Sequence, residues 1–263
     1  MRVDLHNHTT LCNHASGTSE EYLLRALELG IDVYGFSDHA PMNYDPKYRM
    51  DISDKPLYEK EILDLKEKYK NDIDVLLGYE VDYLDGYILD DIVNAKVDYL
   101  IGSVHFLKNK NDMWGFDNPE FIGVYKSKDI DSIWGEYFDA IEAMAKTGLF
   151  DIVGHLDLIK VFRFLPKKDI RQLAKNALLA IKDANMVLEL NPAGLRKPIK
   201  ETYPSRPLLE LAYELGINIT FGSDAHGVDQ VGFKYEEVTT LAKDIGYNQC
   251  MTFSNRDSKL VNF

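Results

Sequence analysis

Cysteine is scarce in this chain of 263 residues, which carries only Cys12 and Cys250. The two residues are too few for a disulfide framework and too far apart in sequence for a CxxC metal or redox pair. We therefore expect both to be free thiols.

The chain also lacks a long uninterrupted apolar run, and its histidines and charges begin close to the first residue. We expect no signal peptide and no membrane segment, and we predict a cytoplasmic protein.

Basic residues are in deficit, with 30 lysines and arginines against 43 acidic residues and a formal net charge of -13. Surfaces that bind nucleic acid or anionic lipid need clustered lysines and arginines, so the composition disfavours both kinds of partner. We expect a small-molecule substrate instead. Any phosphate on that substrate must be held by a local site.

The chain has enough apolar sequence for a large core, since hydrophobic residues make up 45% of it. Its length lies in the range where α/β barrels form as one domain, so we predict a single domain over residues 1–263. Short β-branched runs predict seven strands, at residues 2–6, 33–37, 75–81, 99–104, 151–154, 186–190 and 218–221. Helical spacing predicts helices at 20–30, 58–69, 133–148, 169–185 and 206–216. This alternation indicates parallel strands with crossover helices, as in a doubly wound sheet or a closed barrel.

Several helix ends carry signals of their own. Thr18 stands three residues before Glu21, which predicts a capping box, and Gly30, Gly148 and Gly216 stand where a left-handed residue would end a helix. The longest irregular stretches, 40–56, 106–132 and 191–205, each follow a predicted strand directly. Loops in that position lie on the side of an α/β fold where ligands bind.

Histidines and carboxylates recur at or just beyond the carboxyl ends of the predicted strands. In chain order these residues are His6, His8, His39, Glu80, His105, His155, Glu189, Asp224 and His226. The carboxyl ends of parallel strands share one rim, where barrel enzymes carry their active sites. Residues two apart on an extended chain point to the same face, so His6 converges with His8, and Asp224 with His226. Imidazoles and carboxylates that converge on one rim predict a metal site.

The ligand types limit the metal and the number of ions. Imidazole with carboxylate suits zinc, manganese or iron, whereas calcium and magnesium prefer oxygen alone. Seven histidines and two acids exceed what one ion can use, so at least two ions are implied, and three if Glu80 bridges. Such a cluster lowers the pKa of bound water towards about 7 and suits the hydrolysis of phosphate esters. Two acids stay open: Glu189 could ligate or hydrogen-bond a ligand, and Asp38 could orient a ligand or transfer a proton.

Several motifs carry a resemblance to a known family: HNHTTLCNHASG at 6–17, SDH at 37–39, GYEVDY at 78–83, SVHF at 103–106, GHLDLIK at 154–160 and GSDAH at 222–226. With these motifs the chain resembles the polymerase and histidinol phosphatase (PHP) family of metallophosphoesterases. Within that family it is similar to the histidinol-phosphate phosphatases through YRM at 48–50, WGFDNPE at 114–120 and NPAGLRKP at 191–198. The resemblance covers nearly the whole chain, with one local departure, LKNKND at 107–112.

The resemblance implies a distorted seven-stranded (β/α) barrel with its active site at the carboxyl ends of the strands. It also implies three divalent transition-metal ions. The three ligand sets would be His6, His8, Glu80 and Asp224 for the first ion, Glu80, His105 and His155 for the second, and His14, His39 and His226 for the third. The implied reaction is hydrolysis of L-histidinol phosphate in histidine biosynthesis. A hydroxide bridging two ions would attack phosphorus while the third ion grips a phosphate oxygen.

Phosphate also needs bidentate donors, which arginine supplies best. Arg196, after the sixth strand, is the first candidate, Arg163, after the fifth, is the second, and Lys160 is weaker. Loop residues that could receive a cationic amino alcohol with an imidazole ring are Asp45, Tyr48, Phe116 and Asp117. The proton for the leaving alkoxide could come from Asp38 or from a metal-bound water, and the sequence leaves this choice open.

Three other functions compete with this prediction. Another PHP phosphoesterase could act on nucleotides or short oligonucleotides, but an exonuclease needs a basic track for the strand, which a net charge of -13 disfavours. A non-catalytic metal-binding module, like the degenerate domains attached to some polymerases, would lack some of the metal ligands. This sequence has a residue at every ligand position named above. An amidohydrolase shares the HxH strand, but enzymes of that superfamily typically bridge their metal ions with a modified lysine. In this chain the candidate for the bridging ligand is Glu80.

Overall fold

A closed arrangement of parallel strands forms the centre of the molecule. The computed structural model describes residues 1–109 and 112–263. Its strands in chain order are β1 (Val3–Asp4), β2 (Val33–Phe36), β3 (Asp74–Asp82), β4 (Tyr99–Ser103), β5 (Phe106–Asn109), β6 (Asp112–Gly115), β7 (Ile152–Val153), β8 (Val187–Leu190), β9 (Ile219–Phe221), β10 (Gln249–Ser254) and β11 (Asp257–Asn262). Within the described residues, seven of these strands pair side by side in parallel, in the order β1-β2-β3-β4-β7-β8-β9.

Hydrogen bonds join the first and last strands of this sheet. The amide N–H of Leu5 donates to the carbonyl of Phe221 at 2.8 Å, and the amide of Asp224 donates to the carbonyl of His6 at 2.7 Å. Asn7 and Ala225 form a parallel bridge between them. The sheet therefore closes into a distorted seven-stranded barrel, and the predicted fold is confirmed.

Amphipathic helices follow the barrel strands and bury one face each. In chain order they are α1 (Ser19–Glu28), α2 (Lys55–Lys68), α3 (Asp90–Val93), α4 (Ile122–Ser127), α5 (Ile130–Lys146), α6 (Ile170–Asp183), α7 (Arg206–Leu215) and α8 (Tyr235–Ile245). The five helices predicted from spacing correspond to α1, α2, α5, α6 and α7, with ends that differ by at most a few residues.

The predicted helix-end signals are present. Thr18 caps α1, because its hydroxyl accepts from the amide of Glu21 at 3.2 Å and the Glu21 carboxylate accepts from the amide of Thr18 at 2.7 Å. Gly30, Gly148 and Gly216 all have positive φ angles, which side chains rarely adopt and glycine adopts freely. Local sequence thus decides where these helices begin and end.

Two antiparallel hairpins interrupt the predicted alternation of parallel strands and helices, and α3, α4 and α8 are helices that the spacing did not predict. β5 pairs with β6 directly after His105, in a stretch expected to be irregular. The departure LKNKND falls on this hairpin, and its residues 110 and 111 lie outside the described residues. β10 pairs with β11 near the end of the chain. The turn between them lies at the amino end of the barrel, where the amide of Arg256 donates to the carbonyl of Asp98 at 2.9 Å.

One large apolar cluster runs from Val3 to Val261 and fills the space beneath the carboxyl rim. Tyr99 reaches across it from β4, and its hydroxyl donates to the carbonyl of Leu5 at 2.6 Å. A Cβ on Gly35 would lie 2.1 Å from this hydroxyl, and a Cβ on Gly78 would lie 2.7 Å from the ring. Glycine at these two positions makes room for the tyrosine.

The remaining expectations about the chain as a whole concern its thiols and membranes. Cys12 and Cys250 are both buried and free, as predicted. Among the described residues, we find no helix that combines the length and the apolar character needed to cross a membrane.

Candidate metal centre

Histidines from both ends of the chain meet at the carboxyl rim of the barrel. The ring centroid of His8 lies 3.9 Å from that of His226, 4.4 Å from that of His39 and 5.1 Å from that of His6. His14, from the loop after β1, lies 4.6 Å from His226. The i, i+2 spacing and the strand ends therefore bring these rings together as the sequence indicated.

Glu80, near the end of β3, lies among five histidines that follow four different strands, and the farthest of them is His8, whose Nε2 is 3.7 Å from the carboxylate. One carboxylate oxygen is 2.8 Å from Nε2 of His155 and 3.6 Å from Nε2 of His105. The other is 2.9 Å from Nδ1 of His39 and 3.4 Å from Nε2 of His6. Burial raises the pKa of Glu80, but the charges of His39 and His6 outweigh it and hold the pKa well below its usual range. Glu80 is therefore an ionised carboxylate at the centre of the histidine cluster.

Asp224 supplies a second carboxylate from the segment after β9. One of its oxygens lies 3.2 Å from Nε2 of His8 and 3.4 Å from Nδ1 of His226. Burial raises the pKa of Asp224, but the neighbouring imidazoles, with His6 the largest contributor, hold it well below its usual range. Burial and the charge of His8 lower the pKa of His226 well below its usual value, so this imidazole is neutral. A neutral imidazole has the lone pair that a metal ligand needs.

Unpaired ring nitrogens indicate that the cluster fits metal ions. Within the described part of the chain, the buried histidine nitrogens without a hydrogen-bond partner are His6 Nε2, His8 Nε2, His39 Nδ1, His155 Nδ1 and His226 Nε2. Native proteins rarely leave buried polar atoms unpaired, because each such atom costs free energy. Several of these atoms face two ionised carboxylates, and coordination to a cation would satisfy both kinds of group.

The ligand atoms form several groups in which all atoms lie within 4.8 Å of one another. The groups that contain predicted ligands only are His6, His8 and Asp224; His6, Glu80 and His155; and His8, His39 and His226. A further group joins His14 and His226 to Cys12. The sequence analysis left Cys12 out of the ligand sets, although its place two residues before His14 was visible.

Carboxylates behind the rings hold three imidazoles in place. His6 Nδ1 lies 2.7 Å from Glu189, and His8 Nδ1 lies 3.3 Å from Asp38. Glu189 also accepts from the amide of His155 at 2.6 Å, so both its oxygens are engaged behind the ligands. Such contacts fix the ring tautomer and direct the other nitrogen towards the metal. Asp38 is fully buried and does not line the cavity; of its two possible roles, the geometry supports orientation of His8.

The third such carboxylate is Asp82, which the sequence analysis missed. It lies 2.7 Å from Nδ1 of His105 and accepts two hydrogen bonds from Arg49, at 2.7 and 2.8 Å. Burial raises the pKa of Asp82, but Arg49 and His105 outweigh it and hold the pKa well below its usual range. In turn Asp82, against the effect of burial, raises the pKa of His105 to about 9. The i, i+2 rule, applied to Glu80, could have found Asp82.

The metal-ligand cluster lies in the wall of a cavity of about 820 Å³. Of the predicted substrate-contacting residues, Asp45, Tyr48 and Asp117 line this cavity. Phe116 does not line it, because its ring is fully buried and packs edge-on against Tyr137. The cavity is large enough for a small amino alcohol phosphate and has acidic groups near its mouth.

The two candidate arginines have different surroundings. Arg196 lines the cavity, and its Nη2 donates to the carbonyls of Ser223 and Asp224 at 3.0 and 2.8 Å. Its Nη1 has no partner among the described residues. Arg163 is exposed and does not line the cavity. Lys160 is also outside the lining, because it is buried in an ion pair with Asp157 at 3.1 Å.

A family model and named relatives agree with this geometry. The model of the PHP domain matches residues 4–193. The chain belongs to the PHP family. It is 38% identical to the "Probable histidinol-phosphatase" of Deinococcus radiodurans, over 96% of each chain. It is 30% identical to the "Histidinol-phosphatase" of Bacillus subtilis, over 90% of this PHP-family chain and 97% of that protein.

A solved structure shows the same fold. It is the histidinol phosphate phosphatase of Lactococcus lactis in complex with zinc, L-histidinol and phosphate. The two structures superpose with a TM-score of 0.79 over 98% of each chain, at 24% sequence identity. At this identity the likeness shows a common barrel.

Proposed function

We propose that this PHP-family protein is a histidinol-phosphate phosphatase, which hydrolyses L-histidinol phosphate to L-histidinol and phosphate in histidine biosynthesis. The observation that carries the proposal is the convergence of histidines and carboxylates at one rim, in a chain that matches named histidinol phosphatases over at least 90% of its length. A solved structure of the same fold holds zinc, L-histidinol and phosphate. The enzyme is thus a metal-dependent phosphoric monoester hydrolase.

Three sets of side chains would hold three divalent transition-metal ions. We assign His6, His8, Glu80 and Asp224 to the first ion, Glu80, His105 and His155 to the second, and His14, His39 and His226 to the third. When bound, such ions neutralise charge around phosphorus and lower the pKa of water towards about 7. The donor set of imidazoles and carboxylates suits zinc, manganese and iron.

The other residues bind the substrate or orient the ligands. Arg196 offers its unpaired Nη1 to a phosphate oxygen, while its Nη2 stays anchored to the backbone. Asp38, Asp82 and Glu189 keep the ring nitrogens of His8, His105 and His6 directed at the centre. The exposed Arg163 has no role in this proposal.

Charge at the mouth of the cavity supports an amino alcohol as the leaving group. Asp45 and Asp117 line the cavity and would attract an ammonium group. Tyr48 also lines the cavity, with the ammonium of Lys47 4.6 Å from its ring centroid.

The proposal extends to the molecule as a whole. We propose that residues 1–263 form one catalytic domain, which the apolar cluster from Val3 to Val261 supports. We also propose that the enzyme works in the cytoplasm, as its composition suggests.

A phosphate-release panel tests the substrate. Zinc- and manganese-loaded protein is given L-histidinol phosphate, two nucleoside monophosphates and an aryl phosphate under identical conditions. We expect kcat/KM for L-histidinol phosphate to exceed the others by at least about 100-fold, the discrimination that a few specific polar contacts provide. Equal activity on all substrates would reduce the proposal to a PHP phosphoesterase without this substrate. Activity on the nucleotides alone would replace it.

A further inference from the structure

The cavity wall contains a hydroxyl group without a partner. Tyr203 is fully buried from bulk solvent and lines the cavity. Its hydroxyl has no hydrogen-bond partner in the part of the chain that the structure describes. Leaving a buried hydroxyl unpaired costs free energy, so an unpaired hydroxyl in the wall of a binding cavity indicates a ligand that pairs with it.

A comparison with other tyrosines shows that Tyr203 is distinguished by its position in the cavity wall as well as by the missing hydrogen-bond partner of its hydroxyl. Among the described residues, Tyr22, Tyr34 and Tyr137 also have buried hydroxyls without a partner. None of these three described tyrosines lines the cavity. Tyr203 alone in this group combines an unpaired hydroxyl with a place beside the metal-ligand cluster, where its ring lies 6.4 Å from that of His155.

The local structure holds the Tyr203 ring in one place. Its amide donates to the carbonyl of Asn191 at 2.8 Å, and its carbonyl accepts from the amide of Asn191 at 2.7 Å, at the end of β8. A Cβ on Gly194 would lie 3.0 Å from the ring, so glycine there permits close packing. On another side the ammonium of Lys160 lies 5.3 Å from the ring centroid. The hydroxyl is thus preorganised rather than free to turn away.

Tyr203 and Arg196 together offer donors to an anion. Both belong to the stretch 191–205 after β8 and both line the cavity. Arg196 has an unpaired Nη1 and stays protonated. Burial raises the pKa of the Tyr203 hydroxyl far above neutrality, so this group also keeps its proton. Two donors beside a metal-ligand cluster match the oxygens of a phosphoryl group.

We propose that the Tyr203 hydroxyl donates a hydrogen bond to the phosphoryl group of the substrate, as a second donor beside Arg196. That the substrate is L-histidinol phosphate rests on the proposed function, whereas the contact between Tyr203 and a phosphoryl group does not depend on which phosphate ester is bound. Tyr203 binds the phosphoryl group through a proton that it retains. It is therefore a binding residue and not the source of the proton for the leaving alkoxide.

Tyr203→Phe in the metal-loaded enzyme tests the proposal, with Tyr34→Phe as the matched control. Both changes remove one buried hydroxyl without a protein partner, and only the first lies in the cavity. Calorimetry measures the affinity for inorganic phosphate and, separately, for L-histidinol. Metal content and the unfolding midpoint are measured for each variant.

We expect Tyr203→Phe to weaken phosphate binding about tenfold, a factor that corresponds to about 1.4 kcal/mol. L-histidinol affinity and metal content should stay at the wild-type values, and the unfolding midpoint should not fall. The same holds for Tyr34→Phe, whose phosphate affinity should also equal that of the wild type. Unchanged phosphate affinity in Tyr203→Phe would overturn the proposal, and so would an equal loss of L-histidinol affinity or a loss of metal. If wild-type enzyme prefers another phosphate ester, the proposed function fails while the phosphate measurement still decides the role of Tyr203.

Discussion

A buried ion pair between Arg49 and Asp82 holds the proposed metal ligand His105 in its orientation. His105 is backed by Asp82, and Asp82 is held by two hydrogen bonds from Arg49. Arg49 and Asp82 are both buried, so each charge depends mainly on the other for its stabilisation. A carboxylate behind a histidine ligand raises the basicity of the ring and fixes its orientation. This ion pair therefore links the stability of the protein to the quality of the metal site.

Asp82→Asn should destabilise the protein by about 1.5 to 3 kcal/mol, because it removes the charge-assisted hydrogen bonds of Arg49 and leaves this guanidinium only the half-exposed Asp45, 3.5 Å away, as an ionic partner. Metal affinity should fall by about 10 to 100-fold through the misoriented His105. Urea unfolding of metal-free protein measures the first effect, and metal titration measures the second.

The control for this change is Asp64→Asn, which removes an ion pair between Lys60 and Asp64 on the exposed face of α2. Exposed pairs contribute little to stability because water already solvates both charges. We expect no measurable change in the unfolding midpoint or in metal affinity. Equal effects of the two substitutions would contradict the role assigned to Asp82.

At the scale of elements, the C-terminal hairpin supports the barrel from the end opposite the metal ligands. The Arg256 side chain pairs with Asp151, just before β7, and donates to the carbonyl of Leu149 at 2.7 Å. The amide of Asn255 donates to the side chain of Asp98, just before β4, at 3.2 Å. On the β10 strand itself, the carbonyl of Met251 accepts from the Thr220 hydroxyl at 2.8 Å. The hairpin thus ties together the amino ends of three barrel strands.

Arg256→Met should lower the free energy of unfolding by about 2 kcal/mol, since hydrogen bonds to charged groups contribute about 1.5 to 3 kcal/mol each. At temperatures below the transition, kcat and KM should equal the wild-type values, because the ligands lie at the other end of the barrel. Arg171→Met, which removes the more exposed pair with Glu214, is the control and should have little effect on stability. A lower kcat in folded Arg256→Met would show that the two ends are coupled.

At the scale of the whole molecule, the proposed metal centre would make the stability of the barrel depend on bound cations. The proposed ligands come from β3 and from segments after β1, β2, β4, β7 and β9, so bound ions would bridge six of the seven barrel strands. The unfolded chain does not present these groups together. Ions that bind the folded chain preferentially must therefore stabilise it.

Removal of the metals should lower the unfolding temperature by about 5 to 10 °C. Free metal at 100 times its Kd contributes about 2.7 kcal/mol, and each kcal/mol shifts the midpoint of a chain of this size by about 2 to 4 °C. Calorimetry before and after treatment with a chelator measures the shift, and added zinc should restore the midpoint.

Glu80→Gln provides the comparison for this experiment. It removes the carboxylate that lies among five histidines, so the variant should bind less metal and respond less to the chelator. A response as large as that of the wild type would mean that Glu80 does not hold the metals. No response in the wild-type protein would count against the metal centre as a whole.

Local pattern in the sequence was enough to predict parallel strands with crossover helices and the position of the candidate ligands, whereas the choice of a barrel over a doubly wound sheet came from the resemblance to the PHP family. Strand and helix periods, the capping box at Thr18 and the glycines after helices are properties of short segments, and parallel strands must carry their carboxyl ends on one rim. His6 and His8 share a face for the same local reason. These features need no knowledge of what packs against them.

Contacts between distant segments were decided only by the tertiary structure. Arg196 and Arg163 both follow barrel strands, yet only Arg196 lines the cavity, because the backbone near Ser223 anchors its guanidinium there. The pairing of Arg49 with Asp82 and the unpaired hydroxyl of Tyr203 are likewise invisible in any short segment. Sequence period reports which face a residue occupies, whereas burial and pairing depend on segments that are far apart in the chain and meet only in the folded barrel.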